Sequence, residues 1–119
     1  MTSGLNKAML IGRIGRAPET RFTPSGVAVT TFAIGVPRDW RGPDGEHNHA
    51  VDWFNVVAWG ELAEQCGRLL DENDSAFVEG RLQVRTWTDA EGHRHHQTEI
   101  VAAQVLPLGS GAESTEDDG

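Results

Sequence analysis

The sequence contains a single cysteine, Cys66, so the chain cannot form an internal disulfide. One reduced thiol is usual for a protein of the cytosol. The chain also has no apolar run near the ~20 residues that a membrane helix needs, and residues 1–4 lack a signal-peptide pattern. These absences exclude a disulfide scaffold and a membrane-spanning helix, and they predict a cytoplasmic protein of ordinary single-domain size.

Motifs for catalysis and cofactor binding are absent as well. Gly12-Arg-Ile-Gly15 is not a phosphate loop, because it lacks both the glycine motif and a following helix. No ordered set of serine, histidine and aspartate indicates a nucleophile. The sequence has five histidines, but a structural zinc site needs cysteine or histidine at regular spacing, and one cysteine does not supply it. We therefore predict no enzymatic activity, no cofactor and no metal site.

Positive charge is scarce and unevenly distributed. The chain has 10 lysines and arginines against 18 acidic residues, for a net charge of −8. Residues 1–43 carry six basic and two acidic groups, whereas residues 44–80 carry nine acidic groups and one basic group. Because the charges are segregated along the chain, a local positive surface is compatible with the acidic total.

Four tryptophans are the most informative residues that the sequence does have. They are Trp40, Trp53, Trp59 and Trp87. Trp40 lies within Arg38-Asp-Trp-Arg41, and Trp87 follows Arg85 by two positions. A flat aromatic ring beside a cation suits a nucleobase stacked above a phosphate. The sequence therefore predicts a binder of single-stranded nucleic acid with little sequence preference; the alternative is that the tryptophans fill the core.

The hydrophobic pattern alternates with a period of two along most of the chain, which is typical of strands. The predicted strands cover residues 5–14, 27–36, 51–59, 76–87 and 95–106. A polar loop is predicted over residues 37–50, a helix over 61–70 and a turn over 89–92. In the third strand, Phe54, Val56 and Ala58 form the apolar face, so Trp53 and Trp59 should project together from the exposed face. Cys66 belongs to the apolar stripe of the helix and is predicted to be a packed thiol.

This element order predicts the fold class. Three strands, a helix and two strands are the arrangement of an all-β, five-stranded OB-fold barrel with one helix between strands 3 and 4, a fold that often binds oligonucleotides. The predicted domain covers residues 1–108. Residues 109–119 are small and acidic, cannot bury apolar surface, and are predicted to be a disordered tail.

Several motifs in order resemble those of a known family. The stretches are Leu5-Asn-Lys-Ala-Met-Leu-Ile-Gly12, Pro18-Glu-Thr-Arg-Phe22, Pro24-Ser-Gly26, Asp52-Trp-Phe-Asn-Val-Val-Ala-Trp-Gly60, Glu61-Leu-Ala-Glu64, Phe77-Val-Glu-Gly-Arg-Leu82 and Arg85-Thr-Trp-Thr-Asp89. Together they resemble the bacterial single-stranded-DNA-binding proteins over roughly residues 5–107. The resemblance implies a nucleoid-associated protein that protects single-stranded DNA and removes its hairpins during replication, recombination, repair or DNA uptake. It also implies a homotetramer.

The resemblance also implies roles for individual residues. All four tryptophans match base-stacking positions of the family, and Lys7, Arg21 and Arg85 match positions that commonly contact phosphate. From their place beside the tryptophans and on the strands, Arg38, Arg41 and Arg81 are predicted to track the backbone too. Phe22 and Phe77 are predicted to pack against the protein, with base stacking as the alternative for Phe22, which sits beside Arg21. Arg16 is interpreted as an ordinary surface charge.

The chain departs from the family pattern at sites of charge. The positions where family members carry lysine or arginine hold Asn55, Glu61, Glu72, Gln83 and Thr86. Fewer phosphate contacts reduce the salt dependence of binding, so stacking should supply a large share of the affinity. The tail ends in Glu116-Asp-Asp-Gly119 without the apolar tip that recruits repair and replication proteins in the family. Recruitment of such partners through the tail is therefore not expected.

Two other functions remain open from the residues. One is an OB-fold adaptor whose main partner is protein, resembling the primosomal accessory proteins. The other is an RNA-binding OB domain, because stacking and phosphate contacts do not distinguish the two sugars.

Overall fold

A computed structural model describes residues 3–110, and within them it contains six strands and one helix. The elements are β1 Ala8–Ile14, β2 Glu19–Phe22, β3 Ala28–Arg41, β4 His47–Trp59, α1 Gly60–Leu69, β5 Ser75–Thr88 and β6 Arg94–Gly109. The sheet order is β1-β5-β6-β4-β3-β2, and β1 also pairs with β3, which closes the first five of these strands into a barrel. The predicted five-stranded barrel is confirmed, as is its helix, which lies between β4 and β5.

The core follows the predicted alternation along β3 and most of β4. Ile34 of β3 and Val56 and Ala58 of β4 are buried, as the period of two requires. Phe54 was predicted in the core but is 36% exposed, because β4 is leaving the barrel at that point. Val57, predicted on the exposed face, is buried; its register partners are Thr31 of β3 and Val101 of β6.

The predicted loop over residues 37–50 is wrong. β3 and β4 pair without interruption from Val29↔Trp59 to Arg41↔His47, and only the turn between Arg41 and His47 is free of strand pairing. This arm extends beyond the barrel, so both of its faces meet solvent. Without a buried face the sequence has no apolar alternation, which is why a strand was not predicted there.

Beyond Gly80, β5 pairs with β6 alone as far as Thr88↔Arg94, and this segment forms a second arm. The β5–β6 arm closes with the same turn geometry as the β3–β4 arm. Gly45 N donates to Gly42 O at 2.9 Å in one turn, and Gly92 N donates to Asp89 O at 3.0 Å in the other. Gly45 and Gly92 have φ values of 83° and 87°, the left-handed region that favours glycine. The predicted turn over 89–92 is therefore confirmed, and the protein carries two similar arms.

The short strand β2 was not predicted. Its four residues are all exposed and give no alternating pattern, although they pair with β3 from Glu19↔Thr31 to Phe22↔Ala28. Phe22 is 64% exposed, so the prediction that it packs is wrong, whereas Phe77 is partly buried. The first strand begins at Ala8 rather than residue 5, and Leu5 is exposed.

Helix α1 packs against the barrel, mainly on β3 and β4. Ala63 and Cys66 are its buried residues, and Thr30 Oγ1 of β3 donates to Ala63 O at 2.6 Å. The helix is therefore fixed to the barrel by apolar packing and by one buried hydrogen bond.

The Cys66 thiol is expected to be unreactive in the folded protein. It is 2% exposed, and burial raises its pKa to about 11, so almost no thiolate is present near pH 8. Native protein should show no measurable labelling by a disulfide reagent over minutes, whereas protein unfolded in guanidinium should react at once. Rapid labelling under native conditions would contradict the packed position of this thiol.

Most of the predicted acidic tail, residues 111–119, lies outside the described residues. Strand β6 ends at Gly109, just after the predicted domain boundary. Within residues 3–110, no helix has the length and hydrophobicity to cross a bilayer.

Candidate functional site

All four tryptophans are exposed to solvent. The exposed fractions are 44% for Trp40, 57% for Trp53, 51% for Trp59 and 40% for Trp87. The alternative in which these side chains fill the core is therefore wrong. Exposed aromatic rings are available for contact with another molecule.

Trp53 and Trp59 project from the same outward face of β4, as predicted. Register pairs join Arg21 to Val29 and Val29 to Trp59, so the guanidinium of Arg21 and the ring of Trp59 lie on one cross-strand row. Trp40 pairs with Asn48, so it belongs to the even-numbered positions of β3 and β4, whereas Trp53 and Trp59 belong to the odd-numbered ones. Its side chain therefore projects from the face opposite Trp53 and Trp59, so the tryptophans do not form one flat row.

An open groove of about 680 Å³ brings two of the predicted site residues together. Its walls come from the segment after β1, from the outer face of β3 and β4, and from the β5–β6 arm. Trp53 and Arg85 both line it, together with Asn55 and Gln97. Arg16, interpreted from the sequence as an ordinary surface charge, also lines the groove. Its position just after the end of β1 is the sequence feature that could have indicated this.

Two glycines form the seat of the Trp53 ring. A Cβ atom on Gly15 would lie 2.7 Å from Cζ3 of Trp53, and one on Gly35 would lie 2.8 Å from the same atom. Real carbon atoms do not approach so closely, so the absence of side chains at both positions lets the ring come close to the backbone at Gly15 and Gly35.

Replacing Gly15 by alanine is expected to push the Trp53 ring out of this seat. The nearest three atoms to the added methyl group all belong to Trp53, so the change should alter the ring's position with little other effect. We expect a shifted tryptophan emission maximum and weaker ligand binding by the groove. Gly4→Ala is the matched control, because nothing lies within 4 Å of Gly4. An unchanged emission spectrum for Gly15→Ala would contradict the close contact between Gly15 and the Trp53 ring.

Each arm carries an arginine over a tryptophan ring. The Arg38 guanidinium lies 4.7 Å from the ring centroid of Trp40, and that of Arg85 lies 4.8 Å from the ring centroid of Trp87. Trp87 also stacks with His95 at a centroid distance of 5.3 Å and an interplanar angle of 17°. His95 thereby extends the aromatic surface of this arm.

The predicted backbone-tracking cations all have partners within the protein. Lys7 pairs with Glu79 at 2.9 Å, Arg21 with Glu19 at 3.5 Å, Arg38 with Asp52 at 2.8 Å, and Arg85 with Glu99 at 3.8 Å. Arg41 donates to Gly45 O, and Arg81 donates to Gln83 Oε1. Exposed ion pairs contribute little energy, so these cations stay accessible to a competing anion.

The cations do not converge on the groove. Lys7 and Arg81 line a second, shallower concavity of about 290 Å³, formed with Glu79 and residues 101–103 of β6. Arg38 and Arg41 belong to the β3–β4 arm. Of the six predicted backbone-tracking cations, Arg85 alone joins Trp53 in the main groove. A ligand that contacts all of these groups must therefore be extended and pass around the barrel.

Asp89, Glu91 and His93 place three ligand-type atoms within 4.8 Å of one another at the tip of the β5–β6 arm. Asp89 Oδ1 already accepts the backbone N–H groups of Glu91 and His93, and Asp89 Oδ2 accepts from His95 Nε2 at 2.7 Å. The hydrogen bond with His95, and then that with the backbone of His93, lowers the pKa of Asp89. These bonds account for Asp89 as a turn residue, and the absence of a metal site stays a prediction.

Comparison with known proteins assigns the chain by both sequence and structure. Residues 5–108 match the single-strand binding protein family. The chain is 39% identical over 111 residues to Single-stranded DNA-binding protein 1 of Chlorobaculum tepidum, an alignment that covers 92% of this chain and 68% of that protein. Its fold is similar to the Plasmodium falciparum SSB solved in complex with ssDNA, with a TM-score of 0.85 and 26% identity over 91% of this chain and 98% of that one.

Proposed function

The chain belongs to the single-strand binding protein family, and from that premise we propose that it binds single-stranded DNA with little sequence preference. The observation that carries the proposal is the exposure of all four tryptophans, three of them with an arginine over the ring or on the same cross-strand row. The prediction that the protein is not an enzyme is confirmed by its family membership.

We propose that bases stack on the tryptophans while cations follow the phosphates. Stacking accepts any base, because every base has a π face, so low sequence preference is expected. The strand would cross the groove at Trp53, contact Arg85 there, and continue along the arms to Trp40 and Trp87. Lys7, Arg21, Arg38, Arg41 and Arg81 would contact phosphates outside the groove. An extended strand suits this arrangement, since the cations are spread around the barrel.

In the cell, binding of this kind protects exposed strands and removes hairpins during replication, recombination, repair or DNA uptake. We place the protein in the cytoplasm at the nucleoid, where such strands occur. Residues 109–119, with four acidic side chains and no basic one, are proposed as a tail that competes with DNA for the cations.

We further propose that the chain assembles as a homotetramer. Ile11, Phe77 and Leu106 lie side by side on β1, β5 and β6. Ile11 and Leu106 are 61% and 44% exposed, and the neighbouring Met9 is 61% exposed. An exposed apolar row of this kind favours contact with another copy of the same surface. A native mass of four times 12.9 kDa would support the tetramer, and a monomeric mass would oppose it.

Intrinsic tryptophan fluorescence during titration with an oligothymidine tests the proposed function. Stacking of bases should quench the emission strongly, and the affinity should fall less steeply with added salt than in family members that carry lysine or arginine at positions 55, 61, 72, 83 and 86. Unquenched emission with excess oligomer at low salt would favour the adaptor function instead. A parallel titration with an oligouridine of equal length tests the RNA alternative, which requires binding at least as tight as that of DNA.

A further inference from the structure

The two arms repeat one arrangement of three side chains. In each arm an arginine precedes a tryptophan by two positions on the same strand, and a carboxylate lies on the neighbouring strand. On the β3–β4 arm the set is Asp52, Arg38 and Trp40. On the β5–β6 arm it is Glu99, Arg85 and Trp87.

The register of the two carboxylates is the same. Asp52 is the register partner of Val36, two positions before Arg38, and Glu99 is the register partner of Gln83, two positions before Arg85. Each acid is therefore the diagonal cross-strand neighbour of its arginine, a position within reach of a long side chain. The shared register places the acid at the same site in both sets. Arg38 donates to Asp52 Oδ2 at 2.8 Å, whereas Arg85 lies 3.8 Å from Glu99 Oε1 and also donates to Gln97 Oε1 at 3.4 Å.

In both sets the guanidinium occupies positions that a nucleotide would use. It lies over the ring, where a base would stack, and its charge is directed to a carboxylate rather than to a phosphate. The two rings with an arginine over them, Trp40 and Trp87, are 44% and 40% exposed, against 57% and 51% for Trp53 and Trp59. His95 also covers part of Trp87, but of its two neighbours Arg85 is the one that a phosphate attracts.

We propose that Asp52 and Glu99 are positioning residues that hold Arg38 and Arg85 over the tryptophans until a nucleotide displaces them. The phosphate takes the guanidinium from the carboxylate, and the base takes the ring face. This inference rests on the proposed binding of single-stranded DNA and names the regulation of that same site. The carboxylates lower the affinity, because each ion pair must open and each acid then stays close to a phosphate.

Asp52→Asn and Glu99→Gln are therefore expected to strengthen binding. Each substitution keeps the shape of the side chain and removes its charge. We expect a gain of about two- to fivefold per site at 0.1 M salt, from the usual strength of an exposed ion pair. The gain should shrink as salt is added, because both the pair and the repulsion are screened. The salt dependence of the variants should thus be steeper than that of the wild type.

The experiment measures oligothymidine affinity for the full chain over a range of salt concentrations. Glu46→Gln is the matched control, because Glu46 lies on the β3–β4 arm and contacts Asn48 rather than an arginine. The inference requires a gain for Asp52→Asn that exceeds the gain for Glu46→Gln. Equal gains would show that the effect comes from the change in net charge alone. Weaker binding by Asp52→Asn would show that Asp52 supports Arg38 in the bound state. Either result overturns the inference.

A second readout separates a positioning role from a structural one. In a chain whose other three tryptophans are replaced by phenylalanine, Asp52→Asn should raise the acrylamide quenching of Trp40 before any DNA is added. Asp52 has 43% of its side chain exposed, so this variant is expected to fold even if Glu99→Gln, at 13%, does not. Wild-type protein that fails to bind oligothymidine would refute both proposals, whereas binding without a change in quenching or affinity would refute only this one.

Discussion

Trp53→Ala is expected to weaken oligothymidine binding by about 5- to 140-fold, because stacking on one base contributes roughly 1–3 kcal/mol. Of the four tryptophans, Trp53 has the largest exposed fraction, 57%, and it lies in the main groove. The ring packs closely on Gly15 and Gly35, so we expect it to lose little side-chain entropy when a base stacks on it.

The control for this prediction is Trp53→Phe. Phenylalanine keeps a π face, so most of the affinity should remain, and a comparison of the two variants separates stacking from the loss of side-chain volume. Equal thermal unfolding midpoints for the two variants would show that the barrel is unaffected. If Trp53→Ala binds as tightly as the wild type, the strand does not use the groove, and the arms with Trp40 and Trp87 hold it instead.

Much of the barrel could be predicted from the sequence, because a strand with one buried face leaves a period of two. β4 shows this directly: its parity placed Trp53 and Trp59 together on the exposed face, and the structure agrees. Strands without a buried face could not be predicted in this way. The outer half of the β3–β4 arm and the four exposed residues of β2 are strands by pairing alone, and their sequences carry no apolar alternation.

The aromatic part of the site could also be predicted, whereas its ion pairs could not. An exposed tryptophan beside an arginine is visible as a local pattern, as in Arg38-Asp39-Trp40. The acid that binds Arg38 is Asp52, 14 positions away, and its proximity depends on the register of the arm. Since the arm was predicted as a loop, that register was not available from the sequence.

These ion pairs explain how an acidic chain can suit a polyanionic ligand. The net charge of −8 includes the carboxylates that pair with the predicted DNA-binding cations. Near those cations the local charge is therefore close to balanced, so we expect binding to depend more on aromatic contact than on charge. We expect a salt dependence weaker than the one that six unpaired cations would give.

Ile34→Ala is expected to lower the free energy of unfolding by about 2–5 kcal/mol, the usual effect of removing a large side chain from a packed core. Ile34 is fully buried at the junction of three strands, where its register partners are Ile14 of β1 and Phe54 of β4. The β1–β3 pairing closes the barrel at this point, so the cavity cannot collapse without opening the seam.

Chemical denaturation at two protein concentrations measures this effect and tests the assembly at the same time. Leu69→Ala is the control, because Leu69 is 54% exposed and its loss should change the free energy by less than about 0.5 kcal/mol. If the folded chain is a tetramer, the unfolding midpoints of the wild type, Ile34→Ala and Leu69→Ala should all rise with protein concentration, because assembly stabilises only the folded state. An Ile34→Ala midpoint equal to that of the control would contradict the position of Ile34 at the seam. Midpoints independent of concentration would oppose the tetramer and leave the barrel argument intact.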